Sequence, residues 1–263
     1  MDSKVAVVTG GSGGIGLATA KRFAANGYTV YEFSRSGAGQ DGIKHITVDV
    51  TDAAAVKAAM DDLYIAEKRL DLLITNAGFG ISGAVEFTDI AEARRQFDVN
   101  FFGTAAALAA ALPYLRAHRG RAIAVGSVAG AIPIPFQAYY SASNAAVGAL
   151  VEAARSEVRP YGVTLCCLLP GDVQTGFTDV RQKNHAGDDI YCGRIGRSVA
   201  GMERDERSGM TPDYVAKRIF RIAKKRSVRP FYSVGPMYIF LSFAARILPR
   251  RLVNWAVGLM YAK

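Results

Sequence analysis

The chain is 263 residues long, half hydrophobic and 21% charged, which excludes a disordered chain, and its three cysteines and 27 aperiodic glycines exclude a disulfide-stapled or collagen-like one. The net charge of +9 is concentrated, with 17 Lys and Arg against 6 Asp and Glu in residues 181–263 and 15 against 17 in residues 1–180. A basic last third suits an anionic membrane or substrate, or is a solvated face; aromatic and basic residues interleave only in an apolar tail, so no nucleic-acid partner is expected.

Met1-Asp2-Ser3-Lys4 leads straight into a strand-like run, so no secretory signal is expected and a reduced, cytoplasmic compartment follows. Val5–Val8 reads as a buried strand and Ile15–Ala25 as a helix. Tyr28–Phe33 and His45–Val48 read as strands, Ala53–Ile65 as a helix and Leu70–Thr75 as a strand. Ala91–Leu115 reads as one long Ala-rich helix. Arg121–Val125 is a strand, Gln137–Arg159 a helix and Val163–Leu169 a strand. Apolar strands alternating with helices predict a parallel sheet covered on both faces. Right-handed crossovers make it doubly wound. The expectation is an α/β, Rossmann-like single domain over 1–263, with about seven strands. Cys166 and Cys167 are strand neighbours on opposite faces, so they make a poor metal pair and no metal is expected. Residues 176–210 are polar and weakly periodic, which reads as an irregular substrate loop. Thr211-Pro212-Asp213 opens a further helix, and Val228–Ser233 suits a last strand.

Thr9-Gly10-Gly11-Ser12-Gly13-Gly14-Ile15-Gly16 lies between the first strand and the first helix. In that context, glycines let the backbone approach a pyrophosphate held at the helix N-terminus; a tight turn without a ligand is the plainer reading. The second strand ends in Ser34 and Arg35. A hydroxyl and a guanidinium suit a ribose 2′-phosphate, and Glu32 lies two residues too early to bind the 2′-hydroxyl of NAD. The expected cofactor is NADP(H), although Arg35 can equally be an ordinary surface arginine.

With these motifs the chain resembles the short-chain dehydrogenase/reductase family over roughly residues 4–175, and more loosely to about 232. The glycine turn, Asp49 in Val48-Asp49-Val50, Asn76-Ala77-Gly78, Asn100, Ser127, Tyr140 thirteen residues later, and Pro170-Gly171-x-Val173-x-Thr175 stand in the family order. The resemblance implies a dinucleotide held by Gly10, Ser12, Gly14, Ile15, Gly16, Ser34, Arg35, Asp49, Val50, Asn76, Ala77, Gly78, Tyr140, Pro170, Gly171, Val173 and Thr175. It implies Tyr140 as acid/base, Ser127 bonded to the substrate oxygen, and Asn100 in a proton relay. Tyr139 is the alternative phenol, and the spacing from Ser127 favours Tyr140. The overall pattern looks like the hydroxysteroid and retinol dehydrogenase branch, as Thr9 to Leu17 and Phe97 to Gly103 suggest.

One position departs from the family pattern. The lysine four residues after the tyrosine is replaced by Asn144. A spacing of four keeps it on the same helix face as Tyr140. Asparagine bonds ribose hydroxyls but brings no charge. A unit charge at about 4 Å is worth roughly 4 kcal/mol at an effective dielectric of 20, or about three pKa units. Turnover should then fall by on the order of a hundredfold. No lysine lies between Lys68 and Lys183, and Lys183 is the one candidate replacement, if the loop carrying it swings in. The chain is thus an enzyme slowed by the exchange, natural or engineered, or a dinucleotide-binding protein that no longer catalyses.

The stretch from Ala129 to Phe136 is apolar. With Phe79, Val128, Ile134, Phe136 and Phe177 it predicts a wall for a lipophilic alcohol or ketone, or plain packing. In the tail, 234–263, two apolar halves flank Arg246, Arg250 and Arg251. Neither half reaches the ~20 residues of a spanning helix. A lid, a subunit contact and a membrane-surface contact all fit it. The resemblance further implies a homo-oligomer, dimer or tetramer, through the helices at 91–115 and 137–159.

Overall fold

The computed structural model describes residues 3–262. Met1 and Asp2, on which the reading of the N-terminus falls, lie outside them. The chain begins with β1 (Val5–Thr9), α1 (Gly14–Ala24), β2 (Thr29–Ser34), β3 (Ile43–Thr47), α2 (Ala53–Glu67), β4 (Leu72–Thr75) and β5 (Ile81–Ser82). It continues through α3 (Ile90–Phe97), α4 (Gly103–His118), β6 (Arg121–Val125), α5 (Ala138–Val158) and β7 (Thr164–Pro170). The last third holds α6 (Phe177–Val180), β8 (Gln182–Lys183), α7 (Arg194–Arg207), α8 (Pro212–Ala223), β9 (Phe231–Val234), α9 (Pro236–Ile247) and α10 (Arg250–Tyr261).

Seven parallel strands form one sheet in the order β3-β2-β1-β4-β6-β7-β9. All five residues of β1 are buried, as a central strand covered on both faces requires. The pleat sorts side chains between two cores. Val5, Val7 and Cys167 join Met60, Leu63, Leu115 and Val151 under α2, α4 and α5. Ala6, Val8 and Cys166 join Phe23, Ile219 and Ile222 under α1 and α8. The adjacent cysteines therefore do face opposite ways, both buried and free. Capping sets the helix starts: Asp52 accepts from Ala55 N at 2.9 Å before α2, and Thr211 caps α8.

Three expectations are corrected. The third strand starts at Ile43 rather than His45, because Ile43 pairs with Val30. The helix expected over 91–115 is interrupted by a π-helical turn, Asp98–Phe102, between α3 and α4. A uniform Ala-rich pattern cannot reveal such a turn, and π-turns occur often at functional sites. Residues 176–210 are largely ordered. Buried Ile195, Ser198, Val199 and Met202 keep helical spacing along α7, but the charges around them mask the stripe. β8 pairs with β5, which fixes this segment beside the loop after β4.

Candidate active site

A cleft of about 940 Å³ runs over the C-terminal ends of β1 and β4, where the strand order reverses. Open parallel sheets hold ligands at this place. Gly10, Ser12, Gly13, Gly14 and Ile15 wall one end. No side chain caps α1 and no acid lies in its first turn, so its leading N–H groups stand ready for an anion. Gly16 does not line the cleft. A Cβ there would meet the Gly10 carbonyl, so this glycine serves the close approach of helix and turn. These features fit a dinucleotide pyrophosphate.

Ser34 and Arg35 also line the cleft, Ser34 buried and Arg35 exposed. Ser34 Oγ donates to Glu32 Oε1 at 3.3 Å. Glu32 itself is buried against the His45 ring and stays out of the cleft wall. Asp49 and Val50 follow on the same side. The Thr51 backbone N–H holds the Asp49 carboxyl below the usual carboxylate range, helped by the Thr51 hydroxyl and the charge of Arg35. Asn76-Ala77-Gly78 clamps β4 to the glycine turn. The Asn76 and Ala77 N–H groups donate to Thr9 Oγ1 at 3.0 and 3.1 Å, and Asn76 Nδ2 reaches the Thr9 and Gly10 carbonyls at 3.2 and 3.1 Å.

The centre of the cleft holds Asn100, Ser127, Tyr140 and Asn144. Asn100 sits on the π-turn. Its Oδ1 accepts from Phe79 N and its Nδ2 donates to Phe79 O, each at 3.0 Å, with Ser143 Oγ at 3.3 Å. The amide is thus committed to positioning the loop after β4. Ser127, just beyond the end of β6, accepts from Ala129 N at 3.1 Å and lines the cleft beside Tyr140. Tyr140 stands in the first turn of α5. Burial pushes its phenol above the ordinary value. The Ser127 hydroxyl and the charge of Arg181 pull it down, the Glu206 carboxylate raises it, and the Asn144 amide lowers it slightly. Pro170, Gly171, Val173 and Thr175 close the floor.

Phe79, Val128, Ile134 and Phe177 are in the wall, and the Phe177 ring lies 5.7 Å from that of Tyr140. Phe136 is not in the wall. Its backbone has a positive φ of 59°, and its ring packs 5.6 Å from Tyr191 in a separate small cluster. Lys183 is no replacement for the missing lysine. It is held in β8 and paired with Glu203, outside the cleft wall.

Sequence reasoning missed two features and left a third open among alternatives. Arg181 is the cation felt by Tyr140; its side chain is 1% exposed, ion-paired with Glu206, and 5.5 Å over the Phe177 ring. No local signal marks it, because Glu206 is twenty-five residues away. Asp172 also lines the cleft, where burial raises its carboxyl although Tyr238 donates to it. The third is the far wall, built by Leu241, Ala245, Leu248, Leu252 and Ala256 of the tail helices and their link. Tyr238 lies so close on Gly171 that no Cβ fits there, which ties α9 to the loop after β7.

The family model described as short chain dehydrogenase matches residues 4–186. The chain belongs to this family. Among relatives of this short-chain dehydrogenase, the 3-ketodihydrosphingosine reductase of Bacteroides thetaiotaomicron is 34% identical, covering 100% of this chain and 99% of that protein. The NADPH-dependent 3-dehydrocapnine reductase of Ornithobacterium rhinotracheale is 29% identical, with 95% of each chain covered. A solved short-chain dehydrogenase from Streptomyces avermitilis superposes with a TM-score of 0.85 at 26% identity, over 97% of this chain and 96% of that one. The seven-stranded parallel sheet with flanking helices is thus the architecture of this oxidoreductase family.

Proposed function

We propose that this chain is an NADP(H)-dependent reductase of a lipophilic ketone with a long alkyl chain. The observation that carries the reading is one continuous cleft. It runs from the uncapped α1 terminus, past Ser127 and Tyr140, to an apolar wall made by α9 and α10. NADPH supplies the hydride for the carbonyl carbon. Arg35 suits its 2′-phosphate, and the withdrawal of Glu32 from the cleft wall removes the acid that would select NAD. Ser127 holds the substrate oxygen by a hydrogen bond, and Tyr140 gives it a proton. Because burial raises the phenol above its ordinary value, Tyr140 is protonated near neutral pH, the state a proton donor needs. Asn100 keeps the Phe79 loop in place, and Asn144 stays within reach of the phenol.

The names of two relatives, reductases of 3-ketodihydrosphingosine and 3-dehydrocapnine, agree with this substrate class. Asp172 takes a hydrogen bond from Tyr238 and forms no ion pair among the described residues. It suits a positively charged group near the reacting carbonyl. On this reading the protein works in the cytoplasm as a dimer or tetramer, with the helical segments 91–115 and 137–159 as its contacts.

A second reading, a dinucleotide-binding protein without turnover, is favoured by Asn144 alone. NADPH oxidation with 3-ketodihydrosphingosine and chain-shortened ketones separates the two. Turnover that grows with chain length and is lost in Tyr140→Phe, with NADPH binding kept, supports the reductase. NADPH binding without turnover of any ketone supports the binder.

A further inference from the structure

The two tail helices are apolar on opposite faces. Tyr238, Leu241 and Ala245 of α9 and Val253, Val257 and Tyr261 of α10 are partly buried and turn into the cleft. The other side presents Phe240, Phe243, Ile247 and Trp255, which are 68, 63, 66 and 62% exposed, with Met237 and Leu259 continuing the row. Phe240, Phe243 and Ile247 stand at helical spacing on α9, and Trp255 and Leu259 lie one turn apart on α10. Neither helix contains a fully buried residue. A contiguous exposed apolar row of this kind calls for an apolar surface to cover it, and the chain covers only the other side of this pair.

We infer that the outer face of α9 and α10 docks on an anionic lipid bilayer, with both helices lying in the plane of the interface. Length supports lying over spanning. Twelve residues in each helix reach about 18 Å at ~1.5 Å per residue, against a hydrocarbon core of about 30 Å. No helix among the described residues is long and apolar enough to cross a membrane. Charge supports an anionic surface. Arg246, Arg250 and Arg251 border the exposed row, and residues 234–263 contain no Asp or Glu. A second copy of the chain is a poorer occupant. A two-fold interface puts the same patch on both sides, so these arginines would approach their own counterparts with no carboxylate from either tail between them. An aromatic and aliphatic face edged with arginine is the pattern of helices that settle at the headgroup boundary. The opposite face of the same helices walls the cleft, so a lipid-soluble ketone in the bilayer is one helix thickness from it.

The test uses Trp255, the only tryptophan in the chain, as its own reporter. The full-length protein is mixed with phosphatidylcholine vesicles and with vesicles containing phosphatidylglycerol. The inference expects co-sedimentation with the anionic vesicles, a blue shift of Trp255 emission, quenching by brominated acyl chains, and release by high salt. Arg250→Gln with Arg251→Gln should weaken partitioning about 25-fold, since each arginine near an anionic surface contributes about fivefold. Phe240→Ser with Phe243→Ser should abolish the blue shift while leaving NADPH binding intact, which shows that the variant is folded. Failure to sediment with either vesicle overturns the inference, and so does equal binding to neutral and anionic vesicles. A blue shift that needs no lipid and rises with protein concentration and molecular mass assigns the face to a second copy and overturns it as well. None of these readouts depends on turnover, so their failure leaves the proposed reductase activity standing, and the converse holds.

Discussion

Asn144 Nδ2 donates a 2.9 Å hydrogen bond to the main-chain carbonyl of Tyr140, one turn earlier in α5. The residue in the family's lysine position is therefore tied to its own helix and buried, and the phenol beside it keeps a raised pKa. Asn144→Lys should replace an amide with a charge at that point. An ammonium about 4 Å from the phenol lowers its pKa by up to about three units. Alcohol oxidation, which needs the phenolate, should rise by on the order of a hundredfold near neutral pH. Its pH profile should turn over at lower pH than in the wild type. Ketone reduction should also speed up. Rate profiles of both proteins in both directions check this, and an unchanged profile means that chemistry does not limit the rate.

Arg35 is exposed at the adenosine end of the cleft. Arg35→Ala should raise the dissociation constant for NADPH by about 10- to 100-fold, since a hydrogen bond to a charged group is worth roughly 1.5–3 kcal/mol. NADH binding should barely change, because it has no 2′-phosphate. Titration of both nucleotides by fluorescence measures the ratio, and equal losses would remove the case for NADP(H).

Asp172 titrates above the ordinary carboxylate value, chiefly through burial. A carboxyl whose pKa is raised on folding stabilises the protein most when protonated, below its unfolded value of about 3.9, and that contribution fades as pH rises through the folded value. Asp172→Asn keeps an oxygen for the Tyr238 hydroxyl but carries no charge. The variant should melt at a higher temperature than the wild type near neutral pH, with the difference shrinking as pH falls towards about 4. Thermal melts without substrate across that range test the sign.

Burial pushes the Cys166 and Cys167 thiols up to about 12, whereas Cys192 is exposed. Thiolate is the reactive form. A thiol-specific reagent should therefore label one cysteine in the folded protein and all three after denaturation, counted by intact mass.

Much of this protein is determined locally. The run Val5–Val8, the glycine turn and the first helix are legible because β-branched burial, absent Cβ atoms and helical spacing act over a few residues. Asn76, Ser127 and Tyr140 are legible through the family resemblance, whose motifs adjoin these recognisable elements. The order of these elements fixes a doubly wound parallel sheet with its cleft at the reversal point, because parallel crossovers permit few other topologies. Other features depend on which distant segments meet. The π-turn under Asn100 is set by its bonds to Phe79 and Ser143. Arg181 is buried because Glu206, from a helix masked by its charges, comes back to neutralise it. Phe136 leaves the cleft because a positive φ turns it towards Tyr191. The tail reads as apolar and basic from composition alone. Packing decided which of its faces walls the cleft and which is left exposed, since a helix apolar on two sides has no preferred orientation until the rest of the chain covers one of them.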